Sequence, residues 1–202
     1  MTAKEGAEDW ERIYRQVPLE DIPWHSEKPP RYLVNLVEKR KVRIGLALDV
    51  CAGAGTNAAY LAKKGFDVVG VDISKTAVEF AKKRCEEAGI SKKCNFFVGD
   101  LNKVRLPKNK FDFVFDRGCY HHISRENKPK FAKIISDVLK RGGKYLLSCF
   151  SDKNPHWEKN VSKEEIKENF SNYFAIGKIR DATWTEPTGR KVFFYVILMA
   201  KK

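Results

Sequence analysis

Three aspartates, each standing where an apolar stretch of the sequence ends, are the residues best suited to binding a charged ligand. Asp49 ends the stretch before a glycine-containing turn, Asp72 ends the next apolar stretch, and Asp100 follows the third. If these stretches are parallel strands, their carboxyl ends meet at one edge of the sheet, where ligands of such sheets bind. Three carboxylates at that edge favour a ligand that carries positive charge and hydrogen-bond donors.

Two glycines after the first stretch allow a ligand to approach the backbone closely. Gly53 and Gly55 lie in the spacing Gly-x-Gly-x-x-Ala, with Ala58 in the third position, which fits the dinucleotide-binding fingerprint. Asp72 lies 19 residues beyond Gly53 (72 − 53), where a carboxylate can accept hydrogen bonds from both hydroxyls of a ribose. Alternatively, Asp72 caps the helix that begins near Ser74.

Asp49 distinguishes between the possible nucleotide ligands. A carboxylate beside the glycines repels a pyrophosphate, which argues against a dehydrogenase, whereas it attracts a sulfonium and an ammonium group. S-adenosylmethionine carries both of these groups and no phosphate, and Asp100 suits the exocyclic amine of its adenine. The residues therefore favour S-adenosylmethionine as the cofactor, with S-adenosylhomocysteine as its product.

Four segments of the chain together resemble the class I S-adenosylmethionine-dependent methyltransferases: 49–57, 71–74, 99–101 and 111–116. The resemblance implies a seven-stranded sheet whose last strand is antiparallel. It also implies that the first segment faces the methionine part of the cofactor, the second its ribose and the third its adenine. The residues so assigned to the cofactor are Asp49, Cys51, Gly53, Ala54, Gly55, Asn57, Asp72, Ile73, Asp100 and Leu101, with Asp116 and Gly118 near the transferred methyl group.

The N-terminal sequence WERIYRQVPLEDIPWHSEKP resembles the thiol and halide methyltransferases and their thiopurine and tellurite-resistance relatives. The resemblance implies that Trp10, Tyr14 and Trp24 form an apolar lid that keeps water from the cofactor. The alternative is that these aromatic residues only pack the N-terminal segment onto the sheet. The sequence DRGCYHHI resembles the same branch, so we expect Cys119 and Tyr120 to lie on the acceptor side.

His121 and His122 are the candidate catalytic residues, because a histidine of near-neutral pKa can take a proton from an acceptor. Adjacent side chains are expected to diverge, so that at most one of them faces the acceptor. The alternative is a histidine that packs the loop. A metal site built from Cys119 and the two histidines is not expected, since no fourth ligand is evident. A thiolate, selenide or halide acceptor is already anionic and needs no base.

Positioning these residues requires an α/β fold. Apolar strands alternate with helices from Gly45 to Phe150, which predicts a Rossmann-like, mostly parallel sheet with helices on both faces. Two β-rich segments, 173–179 and 191–200, have no helix between them and predict a closing antiparallel hairpin. We expect a single methyltransferase domain over residues 1–202, with a helical cap at 1–42 and the catalytic core at 43–202.

The composition bears on the acceptor and on localisation. The net charge of +13 comes largely from lysine pairs scattered over predicted helix surfaces and turns, which favours a solvated basic surface over a nucleic-acid site. A small-molecule acceptor is therefore favoured; an RNA or protein methyltransferase and a non-catalytic cofactor-binding subunit are the alternatives. The polar N-terminus does not predict a secretory signal and no apolar run could span a bilayer, so we expect a cytoplasmic protein without a membrane partner. The sequence does not indicate an oligomeric state.

Overall fold

The computed structural model describes residues 6–186 and 188–202. The chain divides into two compact units, one that ends at Val104 and one that runs from Arg105 to Lys202. Each unit combines helices and strands around buried apolar side chains. No helix in the described part of the chain is long and apolar enough to cross a membrane.

The first unit is a three-stranded parallel sheet with helices. Its helices are α1 (Ala7–Gln16), α2 (Arg31–Glu38), α3 (Thr56–Lys63) and α4 (Lys75–Glu87), and its strands are β1 (Leu46–Val50), β2 (Asp67–Asp72) and β3 (Cys94–Val98). The strands lie in the order β3-β2-β1. β1 carries buried side chains at four of its five positions, as expected of a parallel strand covered on both faces.

Local sequence signals set the bounds of α4. The helix begins after Ser74, whose Oγ accepts a hydrogen bond from the N–H of Ala77 at 3.0 Å and so caps the first turn. The helix ends before Gly89, whose φ of +67° is the left-handed conformation that commonly closes a helix. This fixes the start of α4 directly after Asp72, at the carboxyl end of β2.

The second unit joins a parallel strand pair to an antiparallel region. Its strands are β4 (Phe111–Arg117), β5 (Leu139–Phe150), β6 (Phe174–Ile176), β7 (Arg180–Thr185) and β8 (Lys191–Lys201), and its helices are α5 (Lys128–Val138) and α6 (Lys163–Phe170). β4 and β5 are parallel, and β8 runs antiparallel to β5. Both β6 and β7 pair antiparallel with β8.

The predicted fold class is confirmed, with two local differences in the second unit. The described residues form eight strands instead of the predicted seven, because two strands precede β8, namely β6 within the predicted segment 173–179 and β7 after it. A Cβ at Gly177 would lie 2.5 Å from the Leu198 carbonyl oxygen, so the backbone at this residue lies directly against β8. The sequence pattern over 125–140 predicts a helix that reaches Lys140, whereas α5 ends at Val138, since Leu139 already pairs with Phe111 in the sheet.

Gly70, in the middle of β2, has no space for a side chain. A Cβ there would lie 2.3 Å from Phe96 Cδ1 on β3 and 3.3 Å from Ala52 Cβ. We expect Gly70→Ala to lower the free energy of unfolding by about 1–3 kcal/mol through overpacking, measured by urea denaturation. The control Asn95→Ala, at an exposed position of β3, should change it by less than about 0.5 kcal/mol. Equal losses in the two variants would contradict the steric argument.

Candidate active site

Asp72 holds together the loop structure at the carboxyl end of β2. Its side chain is 6% exposed. Oδ2 accepts a hydrogen bond from the N–H of Gly53 at 2.8 Å, and Oδ1 accepts one from the N–H of Ser74 at 2.9 Å. Burial raises the pKa of this carboxyl, although both hydrogen bonds oppose that shift. The cap of α4 is Ser74 and not, as the alternative had it, Asp72, which holds the backbone of Gly53 and Ser74. The Asp72 carboxylate still has lone pairs with which to accept from a ligand.

The turn between β1 and α3 requires glycine at two positions. Gly53 and Gly55 have φ values of +53° and +76°, which residues with a side chain rarely adopt. A Cβ at Gly55 would lie 2.8 Å from the Cα of Ala81, so α4 packs directly against this turn. A Cβ at Gly53 would lie 2.7 Å from Tyr14 Oη, so the N-terminal helix also reaches the turn. The groups that approach the two glycines here belong to the protein, so the close approach of a ligand stays a prediction.

The other residues assigned to the methionine part also lie in or beside this turn. Asp49, on β1, is 1% exposed, and Cys51, with a φ of +52°, is exposed. Among the described residues no donor reaches the buried Oδ1 of Asn57, in the first turn of α3. A buried amide oxygen without a hydrogen bond is costly, which marks it as a position where a ligand donor would fit. Ile73 is half-buried between Asp72 and Ser74.

Asp100 and Leu101 lie after β3. Asp100 Oδ1 accepts hydrogen bonds from the backbone N–H of Asn102 at 2.9 Å and from its side-chain amide at 3.2 Å. Lys103 Nζ lies 3.6 Å from Asp100 Oδ2. Leu101 is buried at 5% exposure. Asp100 therefore orders its own turn, and its assignment to the adenine amine stays a prediction.

The three aromatic residues predicted to form a lid lie in one cluster. The Trp10 and Trp24 rings are 5.1 Å apart between centroids, edge to face, and Trp24 Nε1 donates a hydrogen bond to Tyr14 Oη at 3.1 Å. Tyr14 and Trp24 pack with Ala77 and Phe80 of α4. Tyr14 and Trp24 thus pack against α4, whereas the alternative placed the aromatic residues on the sheet. Tyr14 also lies against Gly53, and the lid stays a prediction.

Glu11 binds the N-terminal helix to the start of α4, a role that the sequence reading missed. Its carboxylate accepts hydrogen bonds from Ser74 Oγ at 2.7 Å, from Thr76 Oγ1 at 2.6 Å and from the N–H of Thr76 at 3.1 Å. These bonds lower the pKa of Glu11 to about 2, and the bond from Thr76 Oγ1 contributes most to the shift. The only sequence signal for this role is the position of Glu11 in WERIY (10–14), within the N-terminal segment that resembles the thiol and halide methyltransferases.

Arg84 makes a second connection between α4 and the loops of the first unit. Its Nε donates to the Ala54 carbonyl at 2.9 Å, and its two terminal nitrogens contact the Glu27 carboxylate at 2.6 and 3.0 Å. The bonds from Arg84 are the main reason that the pKa of Glu27 falls to about 2. Nothing in the sequence indicated this link, because the three residues that form it lie far apart along the chain.

In the second unit, Asp116 is a fully buried carboxyl at the end of β4. Its Oδ1 accepts from the N–H of Cys119 at 2.8 Å, and its Oδ2 accepts from Tyr145 Oη at 2.9 Å. Burial raises the pKa of Asp116 to about 7 despite these bonds. Gly118 has a φ of +100° and donates its N–H to the Ser148 carbonyl at 3.0 Å. The segment after β4 is therefore tightly ordered.

The two histidines do not diverge as expected. They lie in a short 3-10 turn, Tyr120–His122, and their ring centroids are 4.4 Å apart. His121 is buried, stacks on Phe150 at 3.6 Å, and its Nδ1 accepts the N–H of that residue at 3.1 Å. His122 Nδ1 lies 3.0 Å from Lys159 Nζ. Burial lowers the pKa of His121 well below its usual value and that of His122 to about 3, so both are neutral at physiological pH.

The two remaining predicted residues of the acceptor side, Cys119 and Tyr120, are both buried. Tyr120 Oη donates to Glu165 Oε1 at 3.2 Å, and its ring packs against Phe131 and Phe170. These contacts place Tyr120 in the apolar core between α5 and α6. Its assignment to the acceptor pocket remains a prediction.

Comparison with known proteins identifies the family. A methyltransferase domain model matches residues 47–143. Thiocyanate methyltransferase 1 from Brassica oleracea is 30% identical over 81% of this chain and 72% of its own length. The chain belongs to the methyltransferase family. The predicted family, its enzymatic class and S-adenosylmethionine as its cofactor are confirmed.

Other relatives of this methyltransferase act on different molecules, as their names state. A 2-heptyl-1-hydroxyquinolin-4(1H)-one methyltransferase from Mycobacteroides abscessus is 28% identical over 79% of this chain and 71% of its own length. Phosphoethanolamine N-methyltransferase 1 from Arabidopsis thaliana is 34% identical over 74% of this chain, which spans only 31% of that longer protein. The comparisons therefore leave the acceptor open.

The fold also matches solved methyltransferases. The structure of 1,6-didemethyltoxoflavin-N1-methyltransferase from Burkholderia thailandensis, which holds its substrate and S-adenosylhomocysteine, has a TM-score of 0.75 and 19% identity. The match covers 97% of this chain and 87% of the other. At this identity the match supports the Rossmann-like fold alone.

The Glu11 contacts give the methyltransferase a pH-dependent element of stability. We expect Glu11→Gln to lower the free energy of unfolding by about 1–2 kcal/mol at neutral pH, because a charged acceptor is lost at the start of α4. The folded pKa is depressed, so the difference from wild type should hold above the usual value of 4.5 and shrink as the pH falls towards about 2. Urea unfolding across this range measures it. Glu20→Gln, at an exposed position in the same N-terminal segment, is the control, and a similar pH profile in that variant would refute the assignment.

For Asp116 we expect the opposite pH dependence of the free energy of unfolding. Its folded pKa is raised from the usual 3.8 to about 7, so the folded state holds the proton more tightly and Asp116 destabilises the fold as the pH rises through this window. We expect the stability of wild type relative to Asp116→Asn to fall by about 2–3 kcal/mol between about pH 5 and pH 7, then to stay constant. Asp21→Asn, an exposed carboxylate, should show no such slope. A flat difference for Asp116→Asn would mean that this carboxyl is charged throughout.

Proposed function

We propose that this methyltransferase moves a methyl group from S-adenosylmethionine to a small, soft nucleophile such as a thiol, thiocyanate, a halide or a chalcogen anion. The observation that carries the proposal is the state of the two histidines. Both are neutral, their pKa values are lowered, and Nδ1 of each is engaged, by the Phe150 N–H and by Lys159 respectively. Such groups are weak bases, which favours an acceptor that is anionic before it binds.

The residues of the first unit that would hold the cofactor fit its chemistry. The Asp72 carboxylate has lone pairs that can accept hydrogen bonds from ribose hydroxyls. The buried Oδ1 of Asn57 can accept a hydrogen bond from a ligand donor, and the Asp49 carboxylate lies beside the glycine turn. When bound, the cofactor supplies an electrophilic methyl group on a sulfonium. The protein contributes alignment of the reactants and dry surroundings.

The aromatic cluster of the N-terminal segment supports a small acceptor. Tyr14 and Trp24 pack against apolar residues of α4, Trp10 packs edge to face on Trp24, and Tyr14 lies against Gly53 of the glycine turn. An apolar cover excludes water, which strengthens a weakly hydrated nucleophile such as a thiolate. Two relatives agree with this choice by name, the thiocyanate methyltransferase and a probable thiol methyltransferase 2 from Arabidopsis thaliana, 31% identical over 71% of this chain.

The test is a panel of acceptors with methyl-labelled cofactor. Thiols, thiocyanate, iodide and selenide are compared with bulk RNA, bulk protein and hydroxylated heteroaromatic compounds. We expect label in the soft anions. Label in RNA or protein alone would contradict the proposal of a small-molecule acceptor. Label only in the hydroxylated compounds would contradict the proposal of a soft anionic acceptor and would mean that the mechanism requires a base.

Cofactor placement is tested separately from the acceptor. We expect Asp72→Asn to weaken S-adenosylhomocysteine binding roughly 10–100-fold in calorimetry, because the charged acceptor for the ribose hydroxyls is lost. Asp67→Asn changes an exposed aspartate at the other end of the same strand and should leave the affinity unaltered. Equal affinities for the two variants would remove Asp72 from the cofactor site.

A further inference from the structure

The two neutral histidines of the second unit share one tautomer. His121 Nδ1 accepts the Phe150 N–H at 3.1 Å, so this nitrogen carries no proton. His122 Nδ1 lies 3.0 Å from Lys159 Nζ, and because an ammonium group can only donate, this nitrogen is also an acceptor. A neutral imidazole whose Nδ1 accepts carries its proton on Nε2. Each ring therefore presents an Nε2–H donor, which can bind an anion but cannot take a proton.

A buried hydroxyl group lies beside His121. Ser148, on β5, is 1% exposed, and no described residue makes a hydrogen bond with its Oγ. The Ser148 carbonyl accepts the Gly118 N–H at 3.0 Å, and a Cβ at Gly118 would lie 3.6 Å from His121 Cε1 and 4.0 Å from Nε2. Ser148 also shares one face of β5 with Phe150, on which His121 stacks. A buried hydroxyl that lacks a hydrogen bond is costly, which marks this place as a ligand position.

Lys159 brings a positive charge to these donors from the loop between β5 and α6. Its ammonium contacts His122, whose ring centroid is 4.4 Å from that of His121. The loop is anchored by Asn154, which is 2% exposed. The Asn154 side chain donates to the Phe193 carbonyl at 2.8 Å and accepts the Phe193 N–H at 2.8 Å. These bonds to β8 fix the loop and so hold Lys159 beside the histidines.

We propose that the Ser148 hydroxyl, the His121 Nε2–H and the Lys159 ammonium form an anion-binding subsite that holds the methyl acceptor. The subsite lies at the carboxyl ends of β4 and β5, the edge at which ligands of parallel sheets bind. An anion that leaves water needs hydrogen-bond donors and a nearby positive charge, and these three groups supply both. That the acceptor is anionic comes from the proposed function, on which this subsite rests. His121 then binds the acceptor instead of deprotonating it.

The histidine nitrogens report on the subsite directly. Protein with isotopically labelled histidine and bound S-adenosylhomocysteine is titrated with thiocyanate, and long-range proton–nitrogen correlation spectra distinguish the two tautomers. We expect both His121 and His122 to carry the proton on Nε2, and the Nε2 resonance of His121 to shift saturably with thiocyanate. A proton on Nδ1 of His121, or a His121 resonance that thiocyanate leaves unchanged, would overturn the proposal.

Variants of two residues test the assigned contacts by the affinity for thiocyanate. Lys159→Met should weaken binding about tenfold or more because a charge is lost, and Lys159→Arg should restore most of the affinity. Ser148→Ala should weaken binding about 3–10-fold without lowering the free energy of unfolding, because the hydroxyl has no hydrogen bond within the described residues to lose. The control Lys153→Met removes an exposed lysine of the same loop and should leave the affinity unaltered. Wild-type affinity in Lys159→Met or in Ser148→Ala would overturn the subsite as proposed.

Methylation assays separate the failure of this subsite from the failure of the proposed function. In active enzyme we expect Lys159→Met to raise the KM for thiocyanate about tenfold with little change in kcat. Methyl transfer to thiocyanate without any response of His121 would support the proposed function and overturn the subsite. A saturable response of His121 to thiocyanate, with no soft anion methylated, would refute the soft acceptor and still support the anion-binding subsite.

Discussion

The hydrogen bonds from two backbone N–H groups to the Asp72 carboxylate are the interaction on which the candidate site depends. Asp72 ends β2, and its two oxygens hold the glycine turn through Gly53 and the start of α4 through Ser74. A buried carboxylate is costly unless it is hydrogen-bonded, so the two loops are ordered by the same group that is predicted to bind the ribose. The same side chain therefore stabilises the two loops and is predicted to bind the ligand.

The contacts of α4 extend this arrangement through the first unit. Glu11 binds the N-terminal helix to the first turn of α4, Ala81 packs at Gly55, and Arg84 holds the Ala54 carbonyl from the last turns. From the sequence, α4 is a helix with a capped start that connects two strands. In the structure, α4 is the element against which the glycine turn and the aromatic cluster are both positioned.

Most of the fold could be predicted because its signals are local. The strand that ends at Asp72, the cap at Ser74 and the glycine after α4 follow from hydrophobic pattern and capping preferences. The strand β7 and the early end of α5 could not be predicted from the sequence, because both depend on backbone pairing with residues that are distant along the chain. The same division holds for the site: Gly53 and Asp72 belong to a short motif, whereas Arg84 acts through partners 30 and 57 positions away. The relation of the two histidines was misjudged because a 3-10 turn, and not an extended strand, sets their directions.

The pairing of β8 has a consequence for synthesis of the chain. One edge of β8 pairs with β5 and the other with β6 and β7, so it lies inside the antiparallel region although it follows all of those strands in sequence. A nascent chain that has emerged only as far as β7 leaves the backbone N–H and C=O groups along one edge of β5 without their partners on β8. Exposed strand edges of this kind recruit other chains, so the interval before β8 leaves the ribosome is when aggregation competes most strongly with folding.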